Sequence, residues 1–320
     1  MEKNLNLEKT VPSGGPPASV SGQVASESVA SEFLGKTQGV RGMRRQQSVH
    51  PQPQHYVRPQ ERPFTRNQRA HTTILFGGLT WKHEKLIHAF SKGLGYQFEA
   101  LPVPDLGAMQ TGKEYGNNGQ CNPTYFTVGN LVAYLKQLEA SGLSKQEIID
   151  NYIFLTAGAC GPCRFGMYES EYRLALQNSG FDGFRVILFQ QKQGIFQGAD
   201  DQGLDLNSVF FLNLLNVLVL GDMLNQVAYR IRPYELNEGD TDRVLNQSID
   251  RLSEELVEFN QSLATKGLSA KIRVWYELLY GRFFTRQLES IADSFDRIEV
   301  DYNQVKPVVK ITGEFWAQTT

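Results

Sequence analysis

Three cysteines are the residues of this 320-residue chain best suited by type and spacing to hold a metal. An apolar run from Tyr152 to Thr156, short enough for one buried strand, leads through Ala157, Gly158 and Ala159 into Cys160-Gly161-Pro162-Cys163. Beyond Arg164, the apolar residues Phe165, Met167, Tyr172, Leu174 and Leu176 recur at near-helical spacing, and Gly180 is placed to stop that helix. The CxxC therefore falls where a strand hands over to a helix, with Pro162 near the first turn, where its missing N–H costs little. In open α/β sheets, this carboxyl end of a strand is the usual place for chemistry. Cys121 opens a second helix, TYFTVGNLVAYLKQLEASG, with Pro123 just inside it.

If the strands that lead to the two motifs are parallel neighbours, all three thiols meet at one edge of the sheet. Helix N-termini lower thiol pKa values and favour the thiolate, the form that ligates metal. Gly119, Gly158 and Gly161 let backbone approach a bulky ligand and offer N–H donors to its sulfurs. Three thiolates suit an iron–sulfur cluster with one iron open or with a fourth ligand from elsewhere. They also suit zinc with an external fourth ligand, for which His83 and His88 are the nearest in-chain candidates. A redox dithiol would leave Cys121 idle. The plain alternative is three small buried apolar residues, a common fate of cysteine. Arg164, beside Cys163, is placed to balance cluster charge or hold an anion. Gly161 and Asn122 flank the thiols, and Asn122, Asn117 and Asn118 also have an ordinary turn explanation. Lys82, His83, Glu84 and Glu169 are further polar residues expected near this edge, each equally explained by solvation of a loop or helix end.

One motif is a decoy. GAMQTGKE, Gly107 to Glu114, fits GxxxxGK, but Glu114 stands where Ser or Thr would bind magnesium. Pro102, Pro104 and Asp105 separate it from any strand, and Gly116 to Gly119 argue against a following helix, so the stretch reads as a Gly-rich loop without a phosphate site.

The elements that must position these groups follow in chain order. Residues 1–70 are rich in Ser, Gly, Pro and Gln, with a basic second half (Arg41, Arg44, Arg45, Arg58, Arg62, Arg66, Arg69), and read as a disordered basic linker. An α/β lobe is expected over 71–205. Its strands are Thr72–Phe76, Tyr96–Val103, Asn151–Ala157 and Phe184–Gln190, joined by helices in β-α-β units that feed a parallel sheet. Residues 206–296 carry three helical patterns, at 206–232, 241–265 and 269–292; the first is apolar nearly all round and expected to be buried. Residues 297–320 contain VKPVVKITG, read as a new strand.

Composition narrows the function. A hydrophobic fraction of 41% builds a real core, and a net charge of −2 points to neither nucleic acid nor membrane. Three cysteines are an odd, sparse count that fits a reducing compartment. The N-terminus lacks an apolar signal core, and the stretch Val209 to Leu220 is short for a bilayer and contains two Asn, so a cytoplasmic, soluble protein is expected.

At the pairing of GNNGQCNPTYFTVGNL with FLTAGACGPCRFGMYESEYRLALQNSGF, the sequence resembles the 2-hydroxyacyl-CoA dehydratase and benzoyl-CoA reductase superfamily. Within it the likeness is greatest to the large activase-related proteins, in which such a region is joined to actin-like ATPase modules. The likeness runs from about residue 72 onward. It implies flavodoxin-like lobes and a [4Fe–4S] or double-cubane cluster, with Cys121, Cys160 and Cys163 as its ligands. It also implies low-potential electrons from an ATPase-type donor or activase. The ATPase region is replaced here by the N-terminal arm, and VVKITGEFWAQTT resembles only the first strand of a second lobe. Three readings follow: a cluster-binding redox component of a dehydratase/activase-like system, a zinc- or cluster-stabilised interaction module whose partner supplies the second lobe, and a truncated relic.

Overall fold

The computed structural model describes residues 61–158, 163–190, 203–263, 268–309 and 312. Cys160, Gly161 and most of the expected linker lie outside these residues.

Short apolar runs closed by glycine or proline make the sheet. Strands β1 (Thr73–Phe76), β2 (Gln97–Ala100), β3 (Tyr152–Gly158) and β4 (Arg185–Gln190) form one parallel sheet in the order β2-β1-β3-β4. In register, Ile74 lies beside Phe98 and Ile153, and Phe154 lies beside Leu75 and Val186. Alternate residues face opposite layers, and both layers are covered over the central strands β1 and β3, which is why those two read as near-continuous apolar runs. On one side Ile74, Phe76, Phe98 and Ile153 pack under helix α1 (Trp81–Gly93), α6 (Ser208–Ile231) and α7 (Asp240–Leu263). On the other side Leu75, Phe154 and Val186 pack under α3 (Asn122–Ala140), α4 (Lys145–Asn151) and α5 (Tyr168–Asn178). The α/β class and the parallel sheet are thus as expected.

Several local expectations are corrected. The stretch 105–115, read as a loop, is helix α2 (Leu106–Tyr115), capped where the Asp105 carboxylate accepts the Ala108 N–H at 2.8 Å. Its Gly112 is required by packing against α3 rather than by a turn. The basic residues from 61 to 70 are part of the fold. Phe64 is buried in the first core, Arg69 pairs with Asp205 at 2.7 Å, and Glu61 accepts the β4 backbone N–H of Val186 at 3.0 Å. Arginine content suggested a solvated arm, but these guanidiniums have carboxylate partners far along the chain.

The expected helix 269–292 is two helices, α8 (Leu268–Tyr280) and α9 (Phe283–Phe295), because the chain breaks at Gly281 and Arg282. Helix α6 is not buried all round: Leu215, Val219, Met223 and Tyr229 face outward. With its short 3-10 extension (Ser208–Tyr234) it is long and apolar enough to cross a membrane, where the sequence reading counted only its apolar centre. The inner face joins the core through Val217, Leu220, Leu224 and Ala228.

The residues after α9 do not start a strand in the described part of VKPVVKITG. Glu299 and Asp301 bond instead to the α6–α7 turn, with Leu236 N donating to Glu299 O at 2.9 Å and Asp301 N to Tyr234 O at 2.8 Å. Val305 and Val308 are 98% and 100% exposed, since neither sheet edge pairs with them.

Candidate metal centre

Cys121 is delivered by a tightly packed helix pair. A Cβ on Gly112 of α2 would lie 2.0 Å from the Tyr125 carbonyl oxygen, and one on Gly129 of α3 would lie 1.8 Å from that of Ala108. Only glycine lets the backbones approach this closely. Gly119, at φ +79, then turns the connecting loop into Cys121, the N-cap of α3, with a proline in the first turn.

Glu171 of α5 holds that loop. Its buried carboxylate accepts the Asn117 backbone N–H at 3.2 Å, the Asn117 Nδ2 at 2.9 Å and the Gln120 Nε2 at 3.1 Å. Tyr125 Oη adds to the clasp, accepting the Gln120 N–H at 3.0 Å and donating to the Asn117 carbonyl at 3.2 Å. Sequence reasoning missed Glu171. The signal was its spacing: Tyr168, Glu171, Tyr172 and Ala175 follow the 3-4-7 rhythm of a buried face, and an acid on such a face needs donors. Glu171→Gln turns an amide N–H₂ toward groups that are themselves donors, so it is expected to cost about 1–3 kcal/mol. Urea unfolding measures the cost, and faster thiol labelling of Cys121 would report the loosened loop. Unchanged stability and labelling would contradict the clasp.

The Cys121 sulfur lies 3.0 Å from Thr124 Oγ1 and 3.4 Å from Tyr168 Oη. Burial, and then the contact with Cys121, raise the Tyr168 phenol above its ordinary value, so it stays protonated. Tyr168 is the first residue of α5, directly after the 3-10 helix Arg164–Met167, which Cys163 precedes as its N-terminal cap. Cys121 therefore packs against the helix that follows the CxxC, and both described cysteines begin helices. Cys163 is exposed and Cys121 half-buried. Arg164 opens the 3-10 helix, and Asn122 is an exposed first residue of α3.

The route to this arrangement differs from the expected one. The strands before the two motifs are not neighbours, because β1 lies between β2 and β3. Helices α2 and α3 carry Cys121 back across β1 to α5. β3, which ends at Gly158 ahead of the CxxC, lies beside β1, and between these two strands the direction of connection reverses; such switch points are where open α/β sheets bind ligands.

The two histidines are not placed to join the cysteines. Helix α1 covers the opposite face of the sheet from α3 and α5. There His83 is buried, with Nδ1 2.7 Å from Thr80 Oγ1, and Nε2 3.2 Å from the Leu218 carbonyl and 3.3 Å from an Asp222 carboxylate oxygen. His88 Nδ1 lies 2.6 Å from the Phe98 carbonyl. Among the described residues no three His, Cys, Asp or Glu side chains converge; the third thiol, Cys160, is outside them.

The remaining polar candidates have structural roles. Lys82 sits over the Trp81 ring at 5.0 Å, and burial lowers its pKa. Glu169 pairs with Arg173 at 3.1 Å. Asn118 is exposed. Glu84 accepts the Leu79 backbone N–H at 3.3 Å in the loop after β1, and burial raises its pKa despite that bond. A carboxyl with a raised folded pKa favours the folded state at low pH, and that contribution is lost as pH rises through the folded value. Glu84→Gln is therefore expected to gain melting temperature relative to the parent between pH 4 and pH 8. A constant difference across that range would contradict the assignment.

Comparison of the chain with protein-family models, with curated proteins and with solved structures gives no match.

Proposed function

We propose that the chain is an iron–sulfur protein in which Cys121, Cys160 and Cys163 hold a [4Fe–4S] or double-cubane cluster at the β1/β3 edge. In this reading it is the redox component of a 2-hydroxyacyl-CoA dehydratase/activase-like system, cytoplasmic, and served by a separate ATPase-type electron donor. The observation that carries the reading is the packing of Cys121 against Tyr168, which brings a distant cysteine to the helix that follows the CxxC.

The residues present fit such a group. Cys121 and Cys163 each stand at the N-cap position of a helix. The Thr124 and Tyr168 hydroxyls stand within reach of the Cys121 sulfur, and donors of this kind stabilise a ligating thiolate and tune its potential. Glu171 holds the ligand loop in place, and Arg164, next to Cys163, is assigned to balance negative charge. When bound, the cluster supplies one-electron chemistry at low potential. The strand order β2-β1-β3-β4 matches the first four strands of a flavodoxin-like sheet, which supports assigning the lobe to that fold.

A second reading, a cluster- or zinc-stabilised interaction module, is favoured by the outward apolar residues of α6 and α8, among them Leu215, Val219, Ile272 and Tyr276. Exposed apolar patches of this kind mark contact surfaces. Here too a partner chain is required, and a zinc form must draw its fourth ligand from elsewhere than His83 or His88.

Anaerobic purification followed by visible and electron paramagnetic resonance spectroscopy tests the redox reading. Brown protein that bleaches on reduction and gains a paramagnetic signal supports it. Colourless anaerobic protein would sink it, and a coloured but redox-silent protein would move the assignment to the interaction module.

A further inference from the structure

On the layer opposite Cys121, a cavity of about 270 Å³ opens between α7 and the end of α9. Arg243 and Arg251 both line it from α7, eight residues or just over two turns apart, and Arg297 lines it from just beyond α9. Ser248 and Ser294 add hydroxyls, and Val244 and Ile298 give the site an apolar floor.

The guanidiniums are only partly engaged. Arg243 gives one N–H to Asp240 at 2.7 Å, and Arg251 comes no closer than 3.9 Å to Glu255. Arg297 makes no hydrogen bond or ion pair among the described residues. Within the lining, three guanidiniums meet the single carboxylate Asp240, with Glu255 3.9 Å from Arg251 outside it, so positive charge is in excess. The chain as a whole carries −2, so this is a local concentration of charge.

We infer that this cavity is a binding site for a small phosphate monoester. Guanidinium forks match phosphate oxygens in pairs, and a dianion neutralises the surplus. The volume is just below the roughly 300–1,000 Å³ of drug-sized pockets, so the organic part is short and lies on Val244 and Ile298. The site is independent of the cysteines, on the other side of the sheet.

The test is titration of the full chain, followed by calorimetry and by melting temperature, with glycerol 3-phosphate, inorganic phosphate and glycerol as probes. Glycerol 3-phosphate is expected to saturate and raise the melting temperature, and glycerol to do neither. Binding is expected to weaken at least tenfold in Arg251→Gln and in Arg297→Gln and to persist in Arg286→Gln, an exposed α9 arginine outside the cavity. Because the lining arginines are exposed, the variants are expected to melt like the parent without ligand. Inorganic phosphate bound as tightly as the ester would support the same anion site with free phosphate as occupant. No saturable binding at millimolar probe, or binding undiminished in the Arg243→Gln/Arg297→Gln double variant, would overturn the inference.

Discussion

Gly129→Ala is expected to destabilise the protein by about 3 kcal/mol or more, the upper end of what overpacking costs. The added methyl would sit 1.8 Å from the Ala108 carbonyl oxygen and 2.4 Å from the Gly112 nitrogen. Both are backbone atoms, so no rotamer change relieves the clash and α2 must move off α3. The cost reaches the site, because Cys121 is the N-cap of α3 and the loop between the two helices is the one Glu171 clasps. Urea unfolding measures the loss. A variant within about 0.5 kcal/mol of the parent, the range of ordinary surface substitutions, would mean that the helix pair is not packed as described.

Arg173→Met is the second large effect. The Arg173 side chain is only 4% exposed and is shared by Glu61, by Glu169 at 3.1 Å and by the Val186 carbonyl at 3.1 Å. It thereby ties α5, the N-terminal strap and β4 together. Removing it leaves two carboxylates, 17% and 15% exposed, without their cation. Breaking a buried pair from one side costs about 3–5 kcal/mol, whereas neutralising every member costs far less. The Glu61→Gln/Glu169→Gln/Arg173→Met triple variant is therefore expected to recover much of the stability lost in the single one. Equal stability of Arg173→Met and parent would show that the network carries no weight.

The sheet was legible because β1, β3 and β4 carry short apolar runs, and the β-α-β rhythm dictates parallel pairing. Helix α2 was hidden because Gly107, Gly112 and Gly116 read as loop. Two signals argued the other way: Asp105 as a cap, and glycine as the residue that permits close helix contact. The strap around Phe64 was hidden for a different reason. Its partners lie far along the chain, Gly203 being 134 residues from Arg69, and a local window of arginines looks solvated whether or not carboxylates wait elsewhere. At the site, the helix starts at Cys121 and Cys163 were legible from their neighbours. The positions of His83 and His88 depended on which face α1 covers. That is set by the handedness of the crossovers, and α1 covers the face away from α3. Glu171 could have been found, since an acid in register with Tyr168, Tyr172 and Ala175 had to meet donors in the core.

The central claim is that Cys121, Cys160 and Cys163 act together as ligands of one cluster. Its most direct test is iron, sulfide and zinc analysis of anaerobically purified protein, beside the Cys121→Ala, Cys160→Ala and Cys163→Ala variants. Iron and sulfide near cluster stoichiometry in the parent, lost in each variant while the fold persists, is the predicted result. Protein without iron or sulfide, from which all three variants fold like the parent, would contradict it and leave the cysteines as packing residues.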